Sequence, residues 1–468
     1  MKEDSVMKKT ILVLLLFVLV ASSCKKFLEQ PPYNNVSVDD IFKDFEGART
    51  TVIGLYDKLK STEYYLRDFY VYPELAGGNI KYSRTNNQLL LASYSFTRDA
   101  LTDNDLRNFY TQAYGLIYGA NSVLQNIDRA ADATPSQKDR MRAEALTIRA
   151  LVHFDLVRTF AQPYGFTTDA SHTGIVLRTV NPSVLTPTPP SASVKQVYDQ
   201  VLADLDLAIG LYGKSVSIYP NGDARTFLSA DAAKALKSRV ALYKDDAATV
   251  IAVATELISS NRYPLISNGQ YVTSWKGHNI SSESIFELFV PVSGSSGGLG
   301  GYYNPANTLQ AQLATSNDLL ALYASGDVRG TTTMFVSQPG IGGPFYFSRK
   351  YQGMADSINN IRVIRSSELY LNRAEAYAKT GNLTLALSDL NLIRKRANPA
   401  AVNFSSSNQQ AVIDEILNER RRELAFEGHL FFDLARNKKD LVRVDNTAAI
   451  KSFTYPNPLY AYPVPANQ

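Results

Sequence analysis

Cysteine is almost absent: the 468 residues hold one, Cys24. A single thiol closes no internal disulfide and builds no cysteine-rich metal site. Tryptophan is as scarce, with Trp275 alone, and histidine stops at His153, His172, His278 and His429. The four histidines stand far apart, and none falls in the His-Glu-x-x-His spacing that puts two ligands on one helix face. No Gly-x-Ser-x-Gly turn presents a nucleophilic serine. The glycine-rich "GSSGGLGG" lacks the Lys-Ser/Thr that completes a phosphate loop. No pair of carboxylates is singled out for acid–base work. These absences argue against an enzyme, a resident metal and a cofactor. An excess of one charge is missing too. The formal net charge is +4, and the first 23 residues supply +1 of it through Lys2, Lys8 and Lys9 against Glu3 and Asp4. That balance excludes an electrostatic nucleic-acid binder. At 45% apolar and 20% charged residues the chain is nonetheless globular rather than disordered.

Long apolar runs are also lacking, apart from "ILVLLLFVLVA" at 11–21. Eleven residues fall short of the about 20 that cross a bilayer as a helix. Lys8 and Lys9 precede the run and small residues follow it, which is the pattern of a secretory leader. The "ASSC" at its end resembles a bacterial lipoprotein signal, in which the cysteine becomes the first mature residue and its thiol is acylated. The expectation is a signal peptide over 1–23 and a lipid anchor at Cys24. This also accounts for the lone thiol.

What the chain has in abundance is helical periodicity and tyrosine, 28 of them. Residues 103–128 carry Leu106, Phe109, Tyr110, Ala113, Ile117, Ala120, Leu124 and Ile127 at three-and-four spacing, with Asp103 or Asn104 placed to cap the start. Residues 193–209 repeat the pattern behind a Ser193/Gln196 capping box. The stretch between Leu151 and Phe160 is apolar on nearly every face, so a buried helix is expected there. Two segments, 230–260 and 366–398, read as copies of one helix hairpin, and Gly381 supplies the left-handed turn residue in the second. Two helices over some 34 residues resemble a degenerate tetratricopeptide unit. Residues 161–192 and 261–362 are rich in Gly, Pro, Ser, Thr and aromatics and read as long loops with short strands. The expected class is mainly α: tetratricopeptide-like helix pairs form a scaffold beside an irregular, loop-rich ligand-binding half. In "ILNERRRELAFEGHLFFDLAR" (416–436), acids interleave the arginines. This predicts a helix whose Glu and Arg pair across exposed turns, each pair worth about 0.2–0.5 kcal/mol.

That charged segment resembles the signature of the SusD/RagB family of nutrient-binding outer-membrane lipoproteins. Other pieces agree in family order: "CKKFLEQPP", "FYTQAYGLIYGANSVLQNI", "RALVHFDLVRTFAQPYG", "ELYLNRAEAYAKTGN", "ALSDLNLIRKRAN" and the closing "YAYPVP". The resemblance implies an N-terminal helical region over 24–220 and a C-terminal region over 221–468, the two forming one compact unit over 24–468. It implies a non-catalytic protein at the outer membrane, facing the exterior, which captures oligosaccharide or peptide and passes it to a SusC-like TonB-dependent transporter. It also implies that Arg149, Glu375, Arg394, Glu419, Arg422, Glu423, Gly428, Asp433 and Arg436 fix helices to one another. Two other readings are a periplasmic tetratricopeptide-type adaptor for proteins and, more remotely, a glycoside hydrolase.

A sugar presents apolar ring faces and rims of hydroxyls, so its site needs flat aromatics beside amides. Such clusters stand in 61–87, at Trp275, in 300–307 and in 344–351. The candidate contacts are Asn79 and Tyr82, Trp275, and Tyr302, Tyr303 and Asn304, in an open groove whose affinity for a neutral ligand barely depends on salt.

Overall fold

The computed structural model describes residues 37–466 except 102–104, 183–188, 221–224, 278–279, 292–297, 304–311, 331–332, 341–342, 352–358 and 445–447. The leader, Cys24, Asn304 and the expected caps Asp103 and Asn104 lie outside these residues. Eleven helices of seven residues or more are described: α1 Phe45–Leu59, α2 Asp68–Gly77, α3 Arg107–Asn126, α4 Pro135–Phe160, α5 Val194–Tyr212, α6 Ala230–Tyr243, α7 Ala247–Ser259, α8 Ser366–Lys379, α9 Leu383–Ala397, α10 Gln409–Glu423 and α11 Leu430–Arg436.

Local chemistry explains where the long ones start. Thr134 and Gln137 form a reciprocal capping box before α4, with Pro135 at its first position, where a missing N–H costs nothing. Ser193 and Gln196 do the same for α5. The stripe expected on α3 is buried from Phe109 to Ala120. In α4 every residue from Ala143 to Phe160 is buried, so it is the central helix of the scaffold.

Successive helices pack in a row from α3 to α10, α3 on α4, α4 on α5 and so on. The two expected hairpins are α6–α7 and α8–α9, and Gly381 turns the second at φ +82°. Helix α7 lies against α8 although about a hundred residues separate them in sequence. The loop-rich segment is therefore an insertion between two neighbouring hairpins. Small residues let these helices approach: Ala374, Ala378 and Ala386 are fully buried with Leu390, Val412 and Ile416 where α8, α9 and α10 meet. Buried arginines tie the helices together as expected. Arg149 of α4 forks onto Asp204 of α5 at 2.8 and 2.7 Å, and Arg436 of α11 pairs with Glu375 of α8.

The irregular half holds short antiparallel pairs. The strands are β1 Ile80–Tyr82, β2 Ser284–Leu288, β3 Leu313–Thr315, β4 Phe335–Gln338, β5 Phe345–Ser348, β6 Ile361–Arg365, β7 Leu441–Val442 and β8 Ser452–Phe453, paired β1·β3, β2·β6, β4·β5 and β7·β8.

Two expectations are corrected. The aromatic stretch 61–87 does not offer its middle to an open sugar site: that middle is α2, and all ten of that helix's residues are buried. The charged segment 416–436 does not pair its acids and bases across exposed turns, since Glu419, Arg420 and Glu423 are buried. A break separates α10 from α11, where Phe426 and Gly428 adopt φ +69° and +79°. The break is held by Glu74 of α2. Its carboxylate accepts from the backbone N–H of Phe426, Gly428 and His429, each at 3.0 Å, and from the Asn79 amide at 2.7 Å. Glu419 and Glu423 of α10 face inward. Glu423 lies 2.6 Å from Arg365 and 2.9 Å from Arg329, and also pairs with Arg396. Glu283 and Glu427 complete the shell around Arg365 at 2.9 and 2.7 Å.

Candidate functional site

Four of the six residues expected to touch a ligand are core residues. Asn79 is buried, with its amide on Glu74 and its carbonyl accepting from Arg421 at 2.8 Å. Tyr82 is buried edge-on to Tyr94, and its hydroxyl donates to the Leu89 carbonyl. Trp275 is buried under three cations, with Arg362 3.9 Å, Lys350 4.7 Å and Arg365 5.6 Å from its ring centre. Tyr303 is fully buried against Tyr351 and Phe426. Tyr302 is half-buried and held by Arg67, which donates to its hydroxyl at 2.9 Å. The fold does bring these residues together. Tyr351 bridges Trp275 and Tyr303, and the Gln312 amide beside β3 donates to the Tyr302 carbonyl, while β3 pairs with β1. It gathers them into a core, where their faces are already covered by protein.

An open aromatic surface lies elsewhere, on α3. Tyr110, Tyr114 and Tyr118 recur every four residues and so share one helix face. They grade outward: Tyr110 is buried, Tyr114 half-buried, and Tyr118 53% exposed. Opposite them runs a strap, residues 174–182. Together they enclose a cleft of about 170 Å³ lined also by Ile117, Asn121, Val176, Arg178, Asn181 and Pro182. Drug-sized pockets run to roughly 300–1,000 Å³, so this one suits a single ring.

The strap is fixed along its length. The Tyr114 hydroxyl donates to the Val176 carbonyl at 2.8 Å. The Arg178 amide donates to His153 Nε2 at 3.3 Å, and its carbonyl accepts from Asn121 at 3.3 Å. Arg149 Nη1 reaches the Thr179 carbonyl and Asn121 Oδ1, both at 2.8 Å. Asn181 donates to the Tyr118 carbonyl at 3.0 Å and to Ser122 at 2.8 Å. Burial pushes the Tyr110 and Tyr114 phenols up, so both remain protonated donors. The cleft thus offers rigid ring faces, an amide and a guanidinium.

A larger cavity, about 520 Å³, lies between α10, α11 and β7. Its apolar lining is aliphatic (Leu417, Leu430, Leu434 and Val442), with no aromatic face. Its charges are engaged: Asp414 with Lys439 at 2.7 Å, Arg421 with Asp318 at 2.6 Å, and Asp433 with Arg420 and Arg436. Volume favours this cavity and chemistry favours the tyrosine cleft. For a hydroxylated ring the chemistry decides.

The sequence reading placed Tyr110 on the buried stripe and left Tyr114 and Tyr118 aside. The four-residue spacing in "YTQAYGLIY" was the available signal. The strap opposite carries no comparable signal, because only tertiary packing sets it there.

A model of the SusD family matches residues 304–461, and a model described as starch-binding, associating with the outer membrane, matches residues 26–242. The chain belongs to the SusD family. A SusD-like protein of Formosa agariphila is 22% identical, over 91% of this chain and 90% of its own. A solved SusD superfamily protein of Bacteroides thetaiotaomicron superposes with a TM-score of 0.80 at 26% identity, covering 90% of this chain and 96% of that one. A Bacteroides vulgatus protein described as sugar binding gives 0.79 at 25% identity, covering 91% and 96%. The helix row and its inserted irregular half are thus the SusD architecture, and the tyrosine cleft lies within the segment matched by the starch-binding model.

Proposed function

We propose that this SusD-family protein is a lipid-anchored carbohydrate-binding protein of the outer membrane. It faces the cell exterior, captures oligosaccharide nutrient and passes it to a SusC-like TonB-dependent transporter. The observation that carries the reading is the match of residues 26–242 to a starch-binding, outer-membrane-associated family, since those residues include Tyr110, Tyr114 and Tyr118. A sugar ring stacked on Tyr118 and Tyr114 buries apolar area at about 25 cal/mol per Å². Against the entropy of association, a few such contacts give affinities of roughly micromolar to millimolar. Weak capture of that kind permits release into a transporter.

Tyr118→Ala tests the cleft, because Tyr118 is exposed and its side chain does not anchor the strap. In calorimetric titrations of the mature body against a glycan panel, it is expected to weaken binding by roughly three- to tenfold with the melting temperature unchanged. Full affinity for every bound glycan would remove the cleft from this reading. Anchoring is tested separately. One acyl chain holds a protein to a bilayer only marginally, and stable attachment needs more than one. Cys24→Ala is expected to move the protein from the membrane fraction to the soluble fraction. Unchanged partition on detergent extraction would count against the anchor.

A further inference from the structure

We propose that the tyrosine cleft selects acidic oligosaccharides: a uronate ring lies on Tyr114 and Tyr118 while its carboxylate pairs with Arg178. This rests on the carbohydrate reading above and specifies the sugar.

The cleft has an unmatched charge. Arg178 is the one charged residue in its lining, and no acid stands with it. Its guanidinium makes no hydrogen bond or ion pair among the described residues and only approaches the Tyr114 ring, at 6.0 Å. Residues 183–188, Ser-Val-Leu-Thr-Pro-Thr, supply no carboxylate either. The nearby acid, Asp204, is taken by both nitrogens of the Arg149 fork and by Gln200 at 2.8 Å. Several other half-buried and buried arginines are paired with acids: Arg67 with Asp68, Arg239 with Glu368, Arg365 with three glutamates, Arg373 with Asp389. Arg178 is half-buried, and its backbone is pinned on both sides by His153 and Asn121. Its reach is therefore set before a ligand arrives.

A second orphan sits beside it. Asn181 spends its amide nitrogen on Tyr118 and Ser122, while its buried Oδ1 has no partner among the described residues. That oxygen accepts from a hydroxyl. The cleft thus asks for an apolar ring face, a hydroxyl donor and a planar anion within one ring's breadth. A uronate carries all three, and guanidinium and carboxylate pair through two parallel hydrogen bonds. A neutral hexose leaves Arg178 unmatched. A short aliphatic acid leaves Asn181 and the rings unmatched.

The test titrates the mature protein with tetramers of galacturonate, glucuronate and mannuronate, each beside its carboxyl-reduced neutral counterpart, and with a tetrapeptide as a non-sugar acid. At least one acidic tetramer is expected to bind roughly tenfold or more tighter than its reduced form, with the advantage shrinking as salt rises. Arg178→Gln is expected to abolish that advantage, so that acidic and reduced forms bind alike. Arg178→Lys is expected to keep part of it, since a point charge lacks the fork. Tyr118→Ala is expected to weaken both forms together. Equal binding of acidic and reduced tetramers, or binding of neutral forms alone, overturns the acidic selection and leaves the carbohydrate reading standing. Binding of the tetrapeptide with no sugar bound overturns both.

Discussion

Replacing Arg365 with leucine is expected to cost about 3–5 kcal/mol of folding stability, the usual range when one partner of a buried ion cluster is removed. Arg365 sits at the end of β6, 1% exposed, and meets Glu283 of the segment before β2, Glu423 of α10, and Glu427 in the turn after it. Burial works against its charge, yet Glu427 and Glu423 hold its pKa well above the ordinary arginine value. The glutamates depend on it in turn. Burial alone would raise Glu423, but Arg396, Arg365 and Arg329 hold it well below the carboxylate range. Without Arg365 the chain must bury Glu283, Glu423 and Glu427 with one cation fewer, in a site where Lys350, Arg396 and Arg329 already have partners. Domains are stable by about 5–15 kcal/mol in all, so the loss takes a large share. Urea denaturation of Arg365→Leu should show it. A loss below about 1 kcal/mol, the range of an exposed pair, would mean that water reaches this cluster. The double variant Arg365→Leu with Glu427→Leu is expected to recover part of the loss, because removing both partners relieves an uncompensated charge.

The same cluster marks where the sequence could be read and where it could not. Helices with one polar face were legible: α3, α5 and both hairpins follow from apolar spacing, and the capping box at Ser193 fell where the pattern put it. Helix α2 was not legible, because burial on every side leaves no period to detect and Pro73 inside it argues for a loop. The charges of α10 were seen and misplaced. Alternating Glu and Arg look alike whether water or other arginines surround them, and only the insertion between α7 and α8 decides which. Aromatics beside glycine were taken as the mark of a ligand loop. In this fold Trp275 and Tyr303 roof the ion cluster and fill the core around it. The cleft on α3 was half legible, through its tyrosine period. Arg178 carries no sequence mark at all, since its value lies in having no partner.

Acidification is expected to weaken the fold before most carboxylates are protonated. His153 is buried in α4, where Nδ1 faces the Arg149 carbonyl at 3.0 Å and Nε2 faces the Arg178 amide. A carbonyl can only accept and an amide can only donate, so these partners require the neutral ring. Burial, then Arg149, push its pKa down to about 3. His429 is buried as well, and burial followed by Arg239, Arg420, Arg158 and Arg365 drives its pKa well below the usual value. The unfolded chain takes up both protons near pH 6.5, and the folded chain does not. The stability present above that pH is therefore lost as pH falls, at about 1.4 kcal/mol per unit for each histidine. Two buried carboxyls act oppositely. Burial raises Glu74 and Glu144, so the folded state takes their protons first and gains stability as pH descends toward 4.5. The two contributions separate on comparing the native protein with a His153→Gln, His429→Gln variant, which keeps the carboxyls. Between pH 6 and 5, the slope of unfolding free energy against pH is expected to be steeper in the native protein by about 2.4 kcal/mol per unit. Equal slopes would falsify the assignment, as would imidazole resonances of both histidines titrating near pH 6.5. Because His153 holds the Arg178 amide and stays neutral in the folded chain down to about pH 3, the strap keeps its place as stability falls. Ligand affinity of the folded protein is therefore expected to hold between pH 6 and 5, over the range in which stability is lost.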